Sequence, residues 1–173
     1  EFRRVLFRSL FNGEEVGSGE GPLCDIAVDP IDGTSLAAAG RQNALSVIAV
    51  TDRGAMLDAS SVYYMNKLVA GKEAVGILDI RLPIAENIRL LAKALDKPVA
   101  ELVVAVLDRP RHIELIDAIR SAGASTRLLL DGDVAGGIQA AMQGNRIDLC
   151  VGIGGSPEGI ATTCAIKALG GFI

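Results

Sequence analysis

Histidine is nearly absent: the 173-residue chain carries one, His112, and no tryptophan. A lone imidazole leaves little room for a histidine-built zinc site or a Ser-His-Asp triad. Cysteine is scarce as well. Cys24, Cys150 and Cys164 are odd in number and show no CxxC spacing, so they read as small core residues in a reduced compartment. No apolar run approaches the roughly 18 residues needed to span a bilayer, which argues against a membrane partner. An excess of base is also missing, with 17 Lys and Arg against 21 Asp and Glu and a net charge of −4. That balance argues against nucleic acid, whose binders normally show a basic face. A small anionic ligand remains open, because it needs only local positive charge or a metal. Aromatics make up 3% of the chain, while hydrophobic residues make up 50%. Abundant Ala and Gly suggest helices packed closely on a sheet, within one globular domain or a large piece of one.

Hydrophobic patterning places strands at 23–28 and 44–50, each a β-branched apolar run bounded by turn residues. "TDRGAML" reads as a hairpin turn leading into another strand, and "YYMNKLVAG" (63–71) as a further strand. Ile84, Ile88, Leu91 and Leu95 recur at helical spacing and stop before Pro98. Beyond it, strand and helix alternate three times. "ELVVAVLD" is followed by "RPRHIELIDAIRSAG", with Leu115, Ala118, Ile119 and Ala122 on one face. "TRLLLD" is followed by "DVAGGIQAAMQG", and "IDLCVGIGG" by "SPEGIATTCAIKALGG". Ser156 suits an N-cap, Pro157 the first helical position and Gly170 a C-terminal stop. Such alternation predicts a mainly parallel sheet with right-handed crossovers. Residues 1–9, "EFRRVLFRS", are basic and patternless and read as a non-native leader; residues 10–98 and 99–173 form the two parts that follow. The chain stops at "ALGGFI", just past a helix, so it reads as a fragment.

Ligands of open α/β sheets bind beyond the carboxyl ends of the strands, so the strand-to-helix junctions deserve the closest reading. In "DRPRH" (108–112), Arg109 and Arg111 flank Pro110 at a helix start, where cations are locally unfavourable. They can clamp a phosphate, or simply pair with Asp108 and Glu114. In "DGD", Asp131 and Asp133 can accept from sugar hydroxyls around Gly132, or act as an N-cap and turn. "GIGGSPEG" offers Gly152, Gly154 and Gly155 for close backbone approach, and Glu158 either as a metal ligand or as an ordinary first-turn acid. Tyr63 and Tyr64 are adjacent on a strand, so one points inward and one outward. The fourth junction is "DPIDGT" (29–34), whose two acids flank a stiff proline. Asp29 and Asp32 can converge on one point, which suits a hard cation such as Mg²⁺ or Mn²⁺, with Gly33 and Thr34 beside it for a phosphate. The alternative is an Asx-type turn with a spare acid.

The segment D-P-I-D-G-T resembles the signature of the lithium-sensitive, metal-dependent phosphatase superfamily. With "YYMNKL", "DRPRH", "LLDGDVAGGI" and "GIGGSPEGI" in this order, residues 10–173 look like class II (bacterial-type) fructose-1,6-bisphosphatase. The resemblance implies a layered α/β/α/β/α fold, here truncated at its N-terminus and its C-terminus. It implies a cytoplasmic, homo-oligomeric enzyme that uses Mn²⁺ or Mg²⁺ to remove the 1-phosphate of fructose 1,6-bisphosphate in gluconeogenesis. By similarity, Asp29, Asp32 and Glu158 would be metal ligands, and Asp32, Gly33 and Thr34 would line the scissile phosphate. Asp32 and Thr34 would be catalytic, Thr34 by orienting the attacking water. Tyr64, Arg109, Pro110, Arg111, Asp131, Gly132, Asp133 and Gly155 would bind the sugar bisphosphate. Many members carry Glu where this chain has Asp32. The family's remaining Asp and Glu ligands lie upstream of "GEEVG", so the fragment itself is expected to be inactive. Sedoheptulose-1,7-bisphosphatase or dual activity, inositol monophosphatase, and a non-catalytic sugar-phosphate-binding fragment are the competing readings.

Overall fold

A computed structural model describes residues 13–59 and 61–173; the leader read at 1–9 lies outside them. The chain forms β1 (Cys24–Asp32), α1 (Thr34–Ala38), β2 (Leu45–Asp52) and β3 (Tyr64–Ala70). It continues through α2 (Ile84–Ala94), β4 (Val103–Leu107), α3 (Ile113–Ser121), β5 (Ser125–Leu129), α4 (Val134–Ala141), β6 (Leu149–Gly155) and α5 (Ser156–Ala168). The α/β class expected from the sequence is what the chain adopts. β4 pairs in parallel with β5 and with β6, while β3 is antiparallel to β6 at the sheet edge, giving the order β3-β6-β4-β5. β3 and β4–β6 share this sheet, so it joins residues from both sides of the boundary read at 98.

Side-chain alternation along these strands builds two cores. Leu68, Ala70, Val104, Val106 and Leu149 face α2 and α3, meeting Ile88, Leu91, Ile116 and Ile119. Val69, Ala105 and Cys150 face the opposite way and pack with Ala140, Ala141 and Ile166 of α4 and α5. The buried ridge of α3 centres on Ile116 and Ile119, one step from the face read around Leu115 and Ala118. On the far side of α5 lies the antiparallel β1–β2 pair. Four layers therefore stack: β1–β2, α4 and α5, the four-stranded sheet, then α2 and α3. Small residues on the inner face of the pair, Ala27 opposite Ala49, leave room for the helix. Ile26, Val28, Ile48 and Val50 form the outer face and are 43%, 43%, 66% and 56% exposed.

Two local expectations change. The strand expected after the hairpin turn in "TDRGAML" does not form. The Asp25 carboxylate accepts the amides of Gly54 and Met56 at 2.7 and 3.4 Å, satisfying them without a ladder. Ser156 is the first residue of α5, not its cap; Gly155 precedes the helix and the Ser156 hydroxyl is buried without a hydrogen bond. The other end of α5 stops as expected. Gly170 has φ 69°, and the amides of Gly170 and Gly171 bond Lys167 and Ile166 carbonyls in a Schellman arrangement. Among the described residues, no helix is long and apolar enough to cross a membrane.

Candidate active site at the seam between the layers

"DPID" is a bulged strand end, where the sequence suggested a turn. Asp29 lies opposite Val47 and Asp32 opposite Leu45, so three steps on β1 match two on β2. In a regular strand, residues three apart point to opposite faces. One extra residue at Pro30 returns Asp32 to the face of Asp29. Pro30 sits there without cost, having no amide to pair, and its carbonyl accepts the Ser46 hydroxyl at 2.7 Å. Asp29 also makes the Asx-type bond, accepting the Ile31 amide at 3.1 Å.

That shared face looks across the seam at the heads of α4 and α5. Asp32 is buried, and its Oδ2 accepts the Val134 amide at 3.2 Å. It thereby satisfies one of the free amides at the start of α4, while Asp133, the local cap residue, makes no cap bond. Gly132 allows this approach. Its φ is +71°, and a Cβ there would lie 2.9 Å from Asp32 Oδ2. The Asp133 carboxylate turns instead to Lys67 of β3, whose Nζ donates to both oxygens at 3.0 and 2.8 Å. Glu158, in the first turn of α5, keeps its Oε2 buried and without a hydrogen bond. A Cβ on Gly155 would collide with that carboxylate, and one on Gly154 with Asp133. The two glycines are therefore needed where the acids press on β6.

The electrostatics follow from this crowding. Burial, then the charges of Asp133 and Asp29, raise Asp32 from 3.8 to about 7 against the bond from Val134, with a weaker push from Glu158. Asp29 is raised by burial and, against the Ile31 amide, by Glu158 and Asp133. Of these four acids, Asp133 alone has an ammonium partner among the described residues. Asp29, Asp32 and Glu158 have no cationic partner among the described residues. As they stand, no three acidic, His or Cys side chains among the described residues close into a metal cage. The donor chemistry still fits a hard divalent cation: all oxygens, mutually repelling, one of them orphaned.

The second group surrounds the arginines. Neither pairs with Asp108 or Glu114 through its carboxylate. Arg109 donates to the carbonyls of Asp108 and Leu130 at 3.0 and 2.6 Å, and to Asp131 Oδ1 at 2.6 Å. Asp131 Oδ2 accepts the Ser35 amide and hydroxyl at 2.9 and 2.7 Å, so both its oxygens are engaged. Those bonds and Arg109, outweighing burial, lower the Asp131 carboxyl. Arg111 is exposed. It donates Nε and Nη2 to the Ile153 carbonyl at 3.1 and 2.7 Å, with its guanidinium 5.7 Å over the Tyr64 ring. Tyr64 and Tyr63 are both exposed, at 63% and 81%, so neither takes the inward place expected for one of them. Pro110 opens a 3-10 turn ahead of α3, and Thr34 stands exposed at the start of α1.

Sequence reasoning missed Lys67 and Ser35. A lysine inside "NKLVA", where the neighbouring strand residues are buried, was the available signal for the first. Ser35 carried none, because its partner lies 96 residues away.

Comparison with known proteins agrees with the motif order. The family model described as bacterial fructose-1,6-bisphosphatase, glpX-encoded, matches residues 4–173. Fructose-1,6-bisphosphatase 1 class 2 of Escherichia coli (strain K12) is 46% identical over 162 residues, covering 94% of this chain and 48% of the relative. The class 2 enzyme of Shigella flexneri gives the same figures. The chain thus spans about half the length of the curated relatives it matches. With the family model covering nearly all of it and relatives 46% identical, the chain belongs to the bacterial, glpX-encoded fructose-1,6-bisphosphatase family.

Proposed function

We propose that this chain supplies the sugar-phosphate-binding part and one half of the metal site of a fructose-1,6-bisphosphatase, which hydrolyses the 1-phosphate to give fructose 6-phosphate. The observation that carries the reading is the mutual electrostatic crowding of Asp29, Asp32 and Glu158 across the seam between β1 and α5, with no cationic partner for them among the described residues. Those three residues would hold Mn²⁺ or Mg²⁺, which when bound lowers the pKa of a water and neutralises phosphoryl oxygens. Gly33 and Thr34 follow Asp32 directly, so a phosphate seated beside that residue would meet the Thr34 hydroxyl, which would orient the attacking water. Arg111 meets the distal phosphate with a charge-assisted pair, and Tyr64 supports its guanidinium from below. Arg109 holds Asp131 in place. Asp133, fixed by Lys67, and the Asp131–Gly132 backbone face the sugar hydroxyls, and Gly155 offers close backbone approach. A cytoplasmic setting goes with the reading and suits three unpaired thiols, as does a homo-oligomeric complete enzyme.

The test compares substrates. A protein of the relatives' full length that carries residues 10–173 should release phosphate from fructose 1,6-bisphosphate with Mn²⁺ or Mg²⁺ present. Comparable rates on inositol 1-phosphate would sink the assignment.

A further inference from the structure

β4 and β6 run in parallel but pair only at Val104–Leu149 and Ala105–Cys150. Beyond Ala105 the ladder between them stops, on the side where Arg109 and Arg111 follow the end of β4. That stop should leave Leu107 without an acceptor role on that side and Ile153 without a partner for its amide. His112, the chain's one histidine, fills the gap. It is 1% exposed. Its Nε2 accepts the Ile153 amide at 2.8 Å, and its Nδ1 lies 2.8 Å from the Leu107 carbonyl. An amide can donate only to an unprotonated nitrogen, so the proton sits on Nδ1 and is donated to Leu107. The ring thus replaces one missing rung of the ladder with a two-ended bridge. Gly152 makes room for it: its φ is +136°, and a Cβ there would lie 3.0 Å from Cε1 and Nε2 of the imidazole.

The bridge has a consequence one atom further on. The Ile153 carbonyl is the acceptor for both Nε and Nη2 of Arg111. We propose that His112 is a positioning residue: by tying Ile153 to Leu107 where the ladder stops, it aims the Arg111 guanidinium over Tyr64, ready for an anionic group. The functional side of this inference rests on the sugar-bisphosphate reading above; the structural side does not.

Two measurements separate them. By NMR on this chain, the Ile153 amide nitrogen should show a coupling to His112 Nε2 through the hydrogen bond, and His112→Phe should shift the Arg111 Nε–H signal. By calorimetry with fructose 6-phosphate, His112→Phe should weaken binding by about tenfold, as expected for a misplaced charge-assisted pair. His112→Gln, which can present an oxygen to the Ile153 amide, should recover most of that loss. His112→Phe combined with Arg111→Ala should bind no more weakly than Arg111→Ala alone, because the two act through one contact. Losses that multiply in the double variant, an absent coupling, or an unmoved Arg111 signal would each overturn the inference. Should His112→Phe not fold, the wild-type coupling and His112→Gln decide. A wild-type chain that ignores fructose 6-phosphate counts against the sugar-bisphosphate reading, and the coupling and the Arg111 signal then decide the positioning role.

Discussion

Lys67 on β3 grips both oxygens of Asp133 at the head of α4, and the two side chains are only 5% and 12% exposed. An ion pair this deep is costly to break from one side, because the abandoned charge has no water to turn to. Here Asp133 would also be left facing Asp32, with Asp29 and Glu158 nearby. Lys67→Met should therefore destabilise the chain by about 3 kcal/mol. Adding Asp133→Leu should restore most of it. Urea unfolding of the single and double variants reads both.

Asp32 makes stability depend on pH. Its carboxyl is raised from 3.8 to about 7 in the folded chain, so between those values the folded state binds more proton than the unfolded one. Stability from this group is then full below about pH 4 and is lost as pH rises toward 7. In a divalent-free buffer, the urea midpoint of the wild type relative to Asp32→Asn should fall across that window. A saturating divalent cation should flatten the fall, because it favours the charged carboxylate. A rising difference would contradict the placement of Asp32.

Arg111→Ala should separate the two halves of the site. Loss of the guanidinium removes a charge-assisted contact worth about 1.5–3 kcal/mol, so fructose 6-phosphate binding should weaken by tenfold or more. Mn²⁺ binding should change little, since Arg111 contacts the Ile153 carbonyl and the Tyr64 ring and none of the three acids. Calorimetry with each ligand reads the split.

Gly137→Ala tests how tightly α4 and α5 are pressed together. Helix propensity favours the alanine by about 1 kcal/mol. Its Cβ, however, would stand 2.8 Å from the Thr162 methyl on α5, and overpacking costs about 1–3 kcal/mol. The clash should win, lowering the thermal midpoint. A higher midpoint would show that the helices can part.

Much of the fold is legible in local pattern. The continuous apolar run in "ELVVAVLD" and the helical spacing of Ile84, Ile88 and Leu91 give β4 and α2 directly, because burial selects those residues whatever their distant neighbours. "TDRGAML" misleads because its amides are satisfied by Asp25, nearly thirty residues earlier. The site divides in the same way. Asp29, Asp32 and Glu158 stand out as candidates by residue type, two at a strand end and one in a first helical turn. Lys67 on Asp133, Ser35 on Asp131 and His112 on Ile153 are bonds across 66, 96 and 41 residues. No window of sequence contains both partners, so their roles emerge only when the chain is folded.

The bulge at Pro30 has a thermodynamic consequence. It aims two acids from the β1–β2 pair toward a third acid on α5, so the prospective cation site is shared by two layers that otherwise meet through small residues such as Ala27 and the Val134–Asp32 hydrogen bond. A cation held there would work as a rivet between the layers, tightening their docking. Slippage of the β1–β2 pair and loss of metal should accordingly be the same event, observed once as faster amide exchange in β1 and once as a weaker titration.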